Sequence, residues 1–148
     1  MGVRTRTRAE NRKEAKKNVT FAKLNNCPTS PRKMRLVADL IRGQRVELAL
    51  HTLQYNAKQP AERLRKLLLS AIANWQAKNE GARIEDSDLY IKEVFVDSGR
   101  QLKRIRTAPQ GRAHRIRKRS NHVTILLDSR NKAVETAEEP KEVKKENK

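Results

Sequence analysis

The chain has 148 residues, 35 Lys or Arg against 17 Asp or Glu, a formal net charge of +18 and only 36% hydrophobic residues. That length and composition support one modest core, and so large a positive excess points to a polyanion, nucleic acid ahead of an anionic membrane. No stretch approaches the ~20 consecutive apolar residues of a membrane span, the opening "MGVRTRTRAENRKEAKKN" lacks the apolar segment of a secretory signal, and a single cysteine, Cys27, forms no internal disulfide and fits a reducing compartment.

Residues 1–18 are basic, polar and without apolar periodicity, and read as a disordered or partner-ordered arm. "VTFAKL" (19–24), rich in β-branched and aromatic residues and closed by Asn25 and Asn26, reads as a strand. "SPRKMRLVADLIRG" carries several helix signals: Ser30 to cap the free amides, Pro31 at the first helical position and Gly43 as a left-handed stop. Met34, Leu36, Val37, Leu40 and Ile41 supply its apolar face. A second helix follows in "RVELALHTLQYN", with Val46, Ala49, Leu50 and Leu53 on one side. The longest, "PAERLRKLLLSAIANWQAKNEG", opens at Pro60, ends near Gly81 and directs Leu64, Leu67, Leu68, Ala71, Ile72 and Trp75 inward.

After the acid-rich "IEDSD" comes a strand at 89–96, and 123–127 supplies its antiparallel mate if the segment between them is a hairpin. The expected domain therefore spans 19–128. Residues 129–148, mixed in charge and poor in apolar side chains, read as a disordered tail.

The intervening "GRQLKRIRTAPQGRAHRIRKRSNH" (99–122) holds nine cations, seven of them Arg, and no acid, which is half the net charge. "APQG" supplies a turn, with Pro109 at its second position and Gly111 at its fourth. An ascending arm of ~17 residues at ~3.3 Å each would be roughly 56 Å long, well beyond the ~12 Å radius of gyration of a body of about 90 residues. A bare two-stranded ribbon with nine like charges is marginal in water, so something anionic must surround it. Arg forks grip phosphate oxygens in pairs, and no aromatic residue lies between 96 and 122 to stack on bases. The expected mode is recognition of RNA backbone and shape.

The candidate RNA-binding residues are Arg100, Lys103, Arg104, Arg106, Arg112, Arg115, Arg117, Lys118 and Arg119. Ser30, Arg32, Lys33 and Arg35 join them at a helix start, where free amides and the helix dipole favour an anion, although an ordinary N-cap explains the same Ser. Glu85, Asp86 and Asp88 form the one dense acidic group outside the tail and read as a solvated turn. His51, His114, His122 and Cys27 have no ligand spacing, so no metal or cofactor is expected and nothing supports an enzyme. Two rivals remain: a DNA-bending β-arm protein wedging Pro109 between base steps, and a metal-dependent RNA-processing enzyme built on Asp86 and Asp88. "HRIRKR" also matches a nuclear import signal.

From "SPRKMRLVADLIRG" through "SAIAN" and "YIKEVFVD" to "LKRIR" and "QGRAHRIRKRSNHVTILL", residues 19–128 resemble the bacterial type of the L twenty-two family of large-subunit ribosomal proteins. The resemblance implies an α+β fold of three helices on a small three-stranded antiparallel sheet, with one long protruding basic hairpin at about 97–122. It implies a non-enzymatic, cytoplasmic protein seated on the large subunit near the exit of the nascent-chain tunnel. The hairpin would run through large-subunit ribosomal RNA and line the tunnel, supporting assembly among neighbouring ribosomal proteins. Its tip would meet the L four family protein and the nascent chain, close to where macrolides bind. By position, Leu102, Lys103 and Arg104 precede the tip; Thr107, Ala108, Pro109, Gln110, Gly111 and Arg112 complete it, with Gln110 and Arg112 facing the tunnel. Arg115 to Arg119 match the returning RNA-bound arm, and Ser30, Arg32 and Lys33 a helix start near RNA. Thr107 and Ala108 depart from the Pro and Arg that family members often show.

Overall fold

The computed structural model describes residues 2–79 and 87–130. The expected helix end near Gly81, the acids Glu85 and Asp86, and the tail from 131 onward lie outside them. The elements run α1 (Val3–Asn18), β1 (Thr20–Cys27), α2 (Pro31–Ile41), α3 (Val46–Tyr55), α4 (Gln59–Lys78), β2 (Leu89–Thr107) and β3 (Ala113–Ser129).

The helices number four rather than three, because residues read as irregular form α1. Apolar periodicity gives no sign of it; the side chains of residues 2–14 are all exposed. What supports it is local: no Gly or Pro interrupts a run rich in Arg, Ala, Lys and Glu, and Arg6 pairs with Glu10 one turn on, 3.2 Å apart.

α2, α3 and α4 pack on one face of a three-stranded antiparallel sheet of order β1-β3-β2. Val123, Ile125 and Leu127 of the central strand point into the core, flanked by Ala22 on one side and Ile91, Val94 and Val96 on the other. Against them lie Met34, Val37, Ala38 and Ile41, then Val46, Ala49 and Leu53, then Leu64, Leu67, Leu68, Ala71, Ile72 and Trp75. Leu50 is partly buried at the margin. Leu36 and Leu40, assigned by sequence to the α2 core face, are 57% and 43% exposed. Positions 34, 37, 38 and 41 already define the stripe at 3.6 residues per turn, and 36 and 40 fall off its side.

Both outer strands have their edges covered over the body. Along β2, Arg45 bridges to Tyr90, Gly43 and Gln44 exchange backbone hydrogen bonds with Ile91 (3.0 and 2.9 Å), and Arg42 and Arg35 donate to the carbonyls of Val94 and Val96 (3.3 and 3.0 Å). Along β1, Asn74 donates to the Phe21 carbonyl (3.1 Å) and Lys78 to that of Val19 (2.5 Å). These contacts use the unpaired backbone groups that make an edge strand sticky.

β2 and β3 continue from 89–96 and 123–127 through the segment read as a basic hairpin, pairing from Leu89↔Ser129 to Thr107↔Ala113. β1 leaves the sheet at Cys27↔Asn121, so beyond that row the ladder has two strands only. Asn25 and Asn26 do not close β1; the strand bulges there, with Asn26 at φ 52, and regains its register at Cys27. β2 is irregular between Ile91 and Glu93 and again between Ser98 and Gln101. The latter and the β1 bulge adjoin the last three-stranded row, where bulges locally raise strand twist and re-aim the ladder.

Candidate nucleic-acid interface

The root of the two-stranded ribbon is tied to the body through side chains. Asn121, fully buried between Cys27 and Ser98, donates from Nδ2 to the Thr29 carbonyl (2.7 Å). Arg63 of α4 donates to Cys27 Sγ (3.1 Å) and to Thr29 Oγ1. Asn26 donates its amide to His122 Nδ1 (3.1 Å), which ties that histidine to the bulge of β1. Gly99 faces the returning strand so closely that a Cβ there would lie 2.8 Å from Ser120 Oγ and 3.2 Å from the Ser120 carbonyl carbon.

Ser30 holds the N-cap position of α2, and its carbonyl accepts from the amides of Lys33 and Met34, both at 3.1 Å. Its hydroxyl makes no capping bond, contrary to the sequence expectation. Ser30 instead lines a groove of about 630 Å³ with Arg100, Leu102, Arg117, Lys118 and Arg119. Residues about 70 to 90 positions apart in the sequence thus meet where the ribbon leaves the body. Arg32 and Lys33 are exposed but do not line the groove, and the Arg35 fork is engaged with Val96.

Along the ribbon the register sorts the side chains onto two faces. Gln101↔Arg119, Lys103↔Arg117, Ile105↔Arg115 and Thr107↔Ala113 occupy one; Leu102↔Lys118, Arg104↔Ile116 and Arg106↔His114 occupy the other. Both faces are cationic. Lys103 and Arg117 stand directly opposite one another, a repulsive arrangement without a counter-charge. Among the described residues, none of the ribbon cations has an ion pair. Leu102 and Ile105 are 48% and 78% exposed.

At the tip, Arg112 donates to the Pro109 carbonyl (3.3 Å) and Ala108 to the Arg112 carbonyl (2.9 Å). The tight turn is therefore Pro109 to Arg112, one residue later than expected, with Gln110 and Gly111 at φ 61 and 69. Positive φ at both central positions matches the strand twist of a primed hairpin turn. Pro109 has no N–H with which to return the bond from Arg112.

Asp88 pairs with Arg45 (3.1 Å) and sits at φ 40. His51 and His114 are exposed, and Cys27 is buried. Asn121, Arg63 and Gly99 were not singled out by sequence, since their roles exist only once strands distant in the chain are paired.

Helices on one sheet face, blocked body edges and a two-stranded basic extension define a small α+β protein whose cationic ladder continues beyond its core. The family described as Ribosomal protein L22p/L17e matches residues 22–128. The chain is 68% identical over 131 residues to the large ribosomal subunit protein uL22 of Christiangramia forsetii, covering 88% of this chain and 97% of that one. It is 65% identical over 131 residues to the uL22 of Flavobacterium psychrophilum, covering 88% and 96%, and 58% identical over 130 residues to that of Bacteroides fragilis strain YCH46, covering 88% and 95%. The chain belongs to this family of structural, non-enzymatic proteins of the large ribosomal subunit, a cytoplasmic particle in bacteria.

Proposed function

We propose that the two-stranded extension is a protruding hairpin that binds large-subunit ribosomal RNA, while the root groove seats the body on the same RNA. The observation that carries this reading is the placement of unpaired cations on both ribbon faces. A surface resting against one flat polyanion needs charge on one side only; charge on both suits a ribbon with phosphates around it. Such an element supports subunit assembly by holding separate RNA segments together. The tip, from Leu102 to Arg112, then lines the nascent-polypeptide tunnel beside the L four family protein. Residues 1–18 act as a basic arm, 19–128 as the single domain and 129–148 as a charged tail.

Crosslinking in cells followed by sequencing of the attached nucleic acid tests the reading. Large-subunit ribosomal RNA should dominate, with attachment concentrated at residues 99–122. Recovery of mostly DNA or messenger RNA would overturn it.

A further inference from the structure

The sheet carries packed helices on one face only, and its other face is neither bare polar surface nor basic. The rows Phe21↔Leu126↔Glu93 and Lys23↔Thr124↔Phe95 lie side by side there, followed toward the ribbon by His122↔Asp97. Phe21 and Phe95 are 52% and 48% exposed, and Leu126 between them is partly buried. Two aromatics on opposite outer strands with an aliphatic residue on the central one make a contiguous apolar strip of the kind that marks an interaction site.

Its charge decides what kind of partner fits. Glu93 and Asp97 are exposed, and among the described residues neither has an ion pair. Lys92 is committed to Asp128 at 2.8 Å, and that hydrogen bond and charge raise its pKa. Arg130, at the end away from the ribbon, lies over the Tyr90 ring, 5.5 Å from its centroid. Lys23 stands on the strip itself, and Lys78 of α4 lies at its edge beside Phe21, its ammonium donating to the Val19 carbonyl. In a chain of net charge +18, this face is close to neutral, with two unpaired carboxylates beside exposed aromatics and without the excess of cations that the ribbon offers to phosphates.

We propose that the open sheet face is a docking surface for a segment of another protein. That segment carries apolar side chains to cover Phe21, Leu126 and Phe95, and a Lys or Arg to meet Glu93 and Asp97. Aromatic contacts of this sort supply the anchor, and the complementary charges set the register. The partner lies beside this chain in the large subunit, which rests on the ribosomal reading; the surface itself does not.

The test uses the full chain assembled into large subunits in cells, with a photoreactive phenylalanine derivative in place of Phe95 or, as an internal control, of Ile116 on the ribbon. Position 95 should yield a conjugate with one recurring peptide containing Lys or Arg, and position 116 a conjugate with RNA. Adding Glu93→Lys and Asp97→Lys, both at exposed positions that leave the melting temperature in place, should cut the protein conjugate roughly fivefold or more. RNA at position 95, an unchanged or raised yield after charge reversal, or no conjugate there while position 116 still reports RNA would each overturn the proposal. Loss of the RNA conjugate at position 116 alone would instead count against the RNA-binding reading.

Discussion

Asn121 carries more of the structure than its surface-type chemistry suggests. Its side chain is fully buried, one end donates to the Thr29 carbonyl, and Oδ1 has no partner among the described residues. Replacing it by Ala removes the donor and leaves a buried carbonyl unsatisfied, at a cost of about 1–3 kcal/mol. The expected outcome is a lower urea midpoint for Asn121→Ala; an unchanged midpoint would show that Thr29 finds another donor. At the tip the sign of φ matters instead. Gly111 has open space where a Cβ would go but sits at φ +69, so Gly111→Ala costs about 1 kcal/mol through backbone strain alone. That cost belongs to the turn and not to the core. Amide exchange at Ala108 and Arg112 should quicken about fivefold while the global unfolding midpoint stays fixed; a shifted midpoint would mean that the ribbon and body unfold as one unit.

At the scale of elements, the clasp between α2 and β2 illustrates what can and cannot be read from a sequence. Arg35 looks like one more RNA-facing cation at a helix start, yet both its Nε and Nη2 donate to Val96, at 3.3 and 3.0 Å. Arg35→Met should therefore lower stability by about 1 kcal/mol, allowing for its partial exposure, whereas Arg32→Met should not. Equal midpoints in chemical denaturation for the two variants would return Arg35 to the RNA-facing set. The three packed helices were legible because Val37 and Ile41, or Leu64, Leu68 and Trp75, repeat at helical spacing between Pro and Gly boundaries. α1 was not, since it forms without an apolar stripe. The arms at 97–107 and 113–122 lack the alternation of a half-buried strand and were legible only from the two flanking strands and the turn signal between them, which left the turn one residue early. The ribbon cations were legible from charge alone, while the groove that joins Ser30 to Arg117 required the register of β1, β2 and β3.

The whole molecule divides into a body that supplies its own stability and a ribbon that does not. Buried apolar side chains end on β2 at Val96 and on β3 at Val123; beyond them the ladder has backbone hydrogen bonds and one buried polar residue, Asn121, at its root. A two-stranded ribbon of this kind is marginal in water, and its unpaired cations oppose its closure. In the free protein, amides at residues 101–106 and 114–119 should exchange far faster than those of Val123 and Ile125, and gain protection when RNA neutralises the charge. The same phosphates that order the ribbon make binding steeply salt-dependent, at a slope of about −0.7 to −0.9 per neutralised phosphate. Replacing Arg115, Arg117 and Arg119 together by Ser should then flatten the log affinity against log salt plot by roughly 2–3 and lower the occupancy of the protein in purified large subunits. A lowered affinity with the original slope would mean that these three side chains act by shaping the ribbon rather than by meeting phosphates, because lost packing carries no counterion signature. An unchanged affinity and occupancy would move the RNA contact to the root groove, where Arg100 and Lys118 remain.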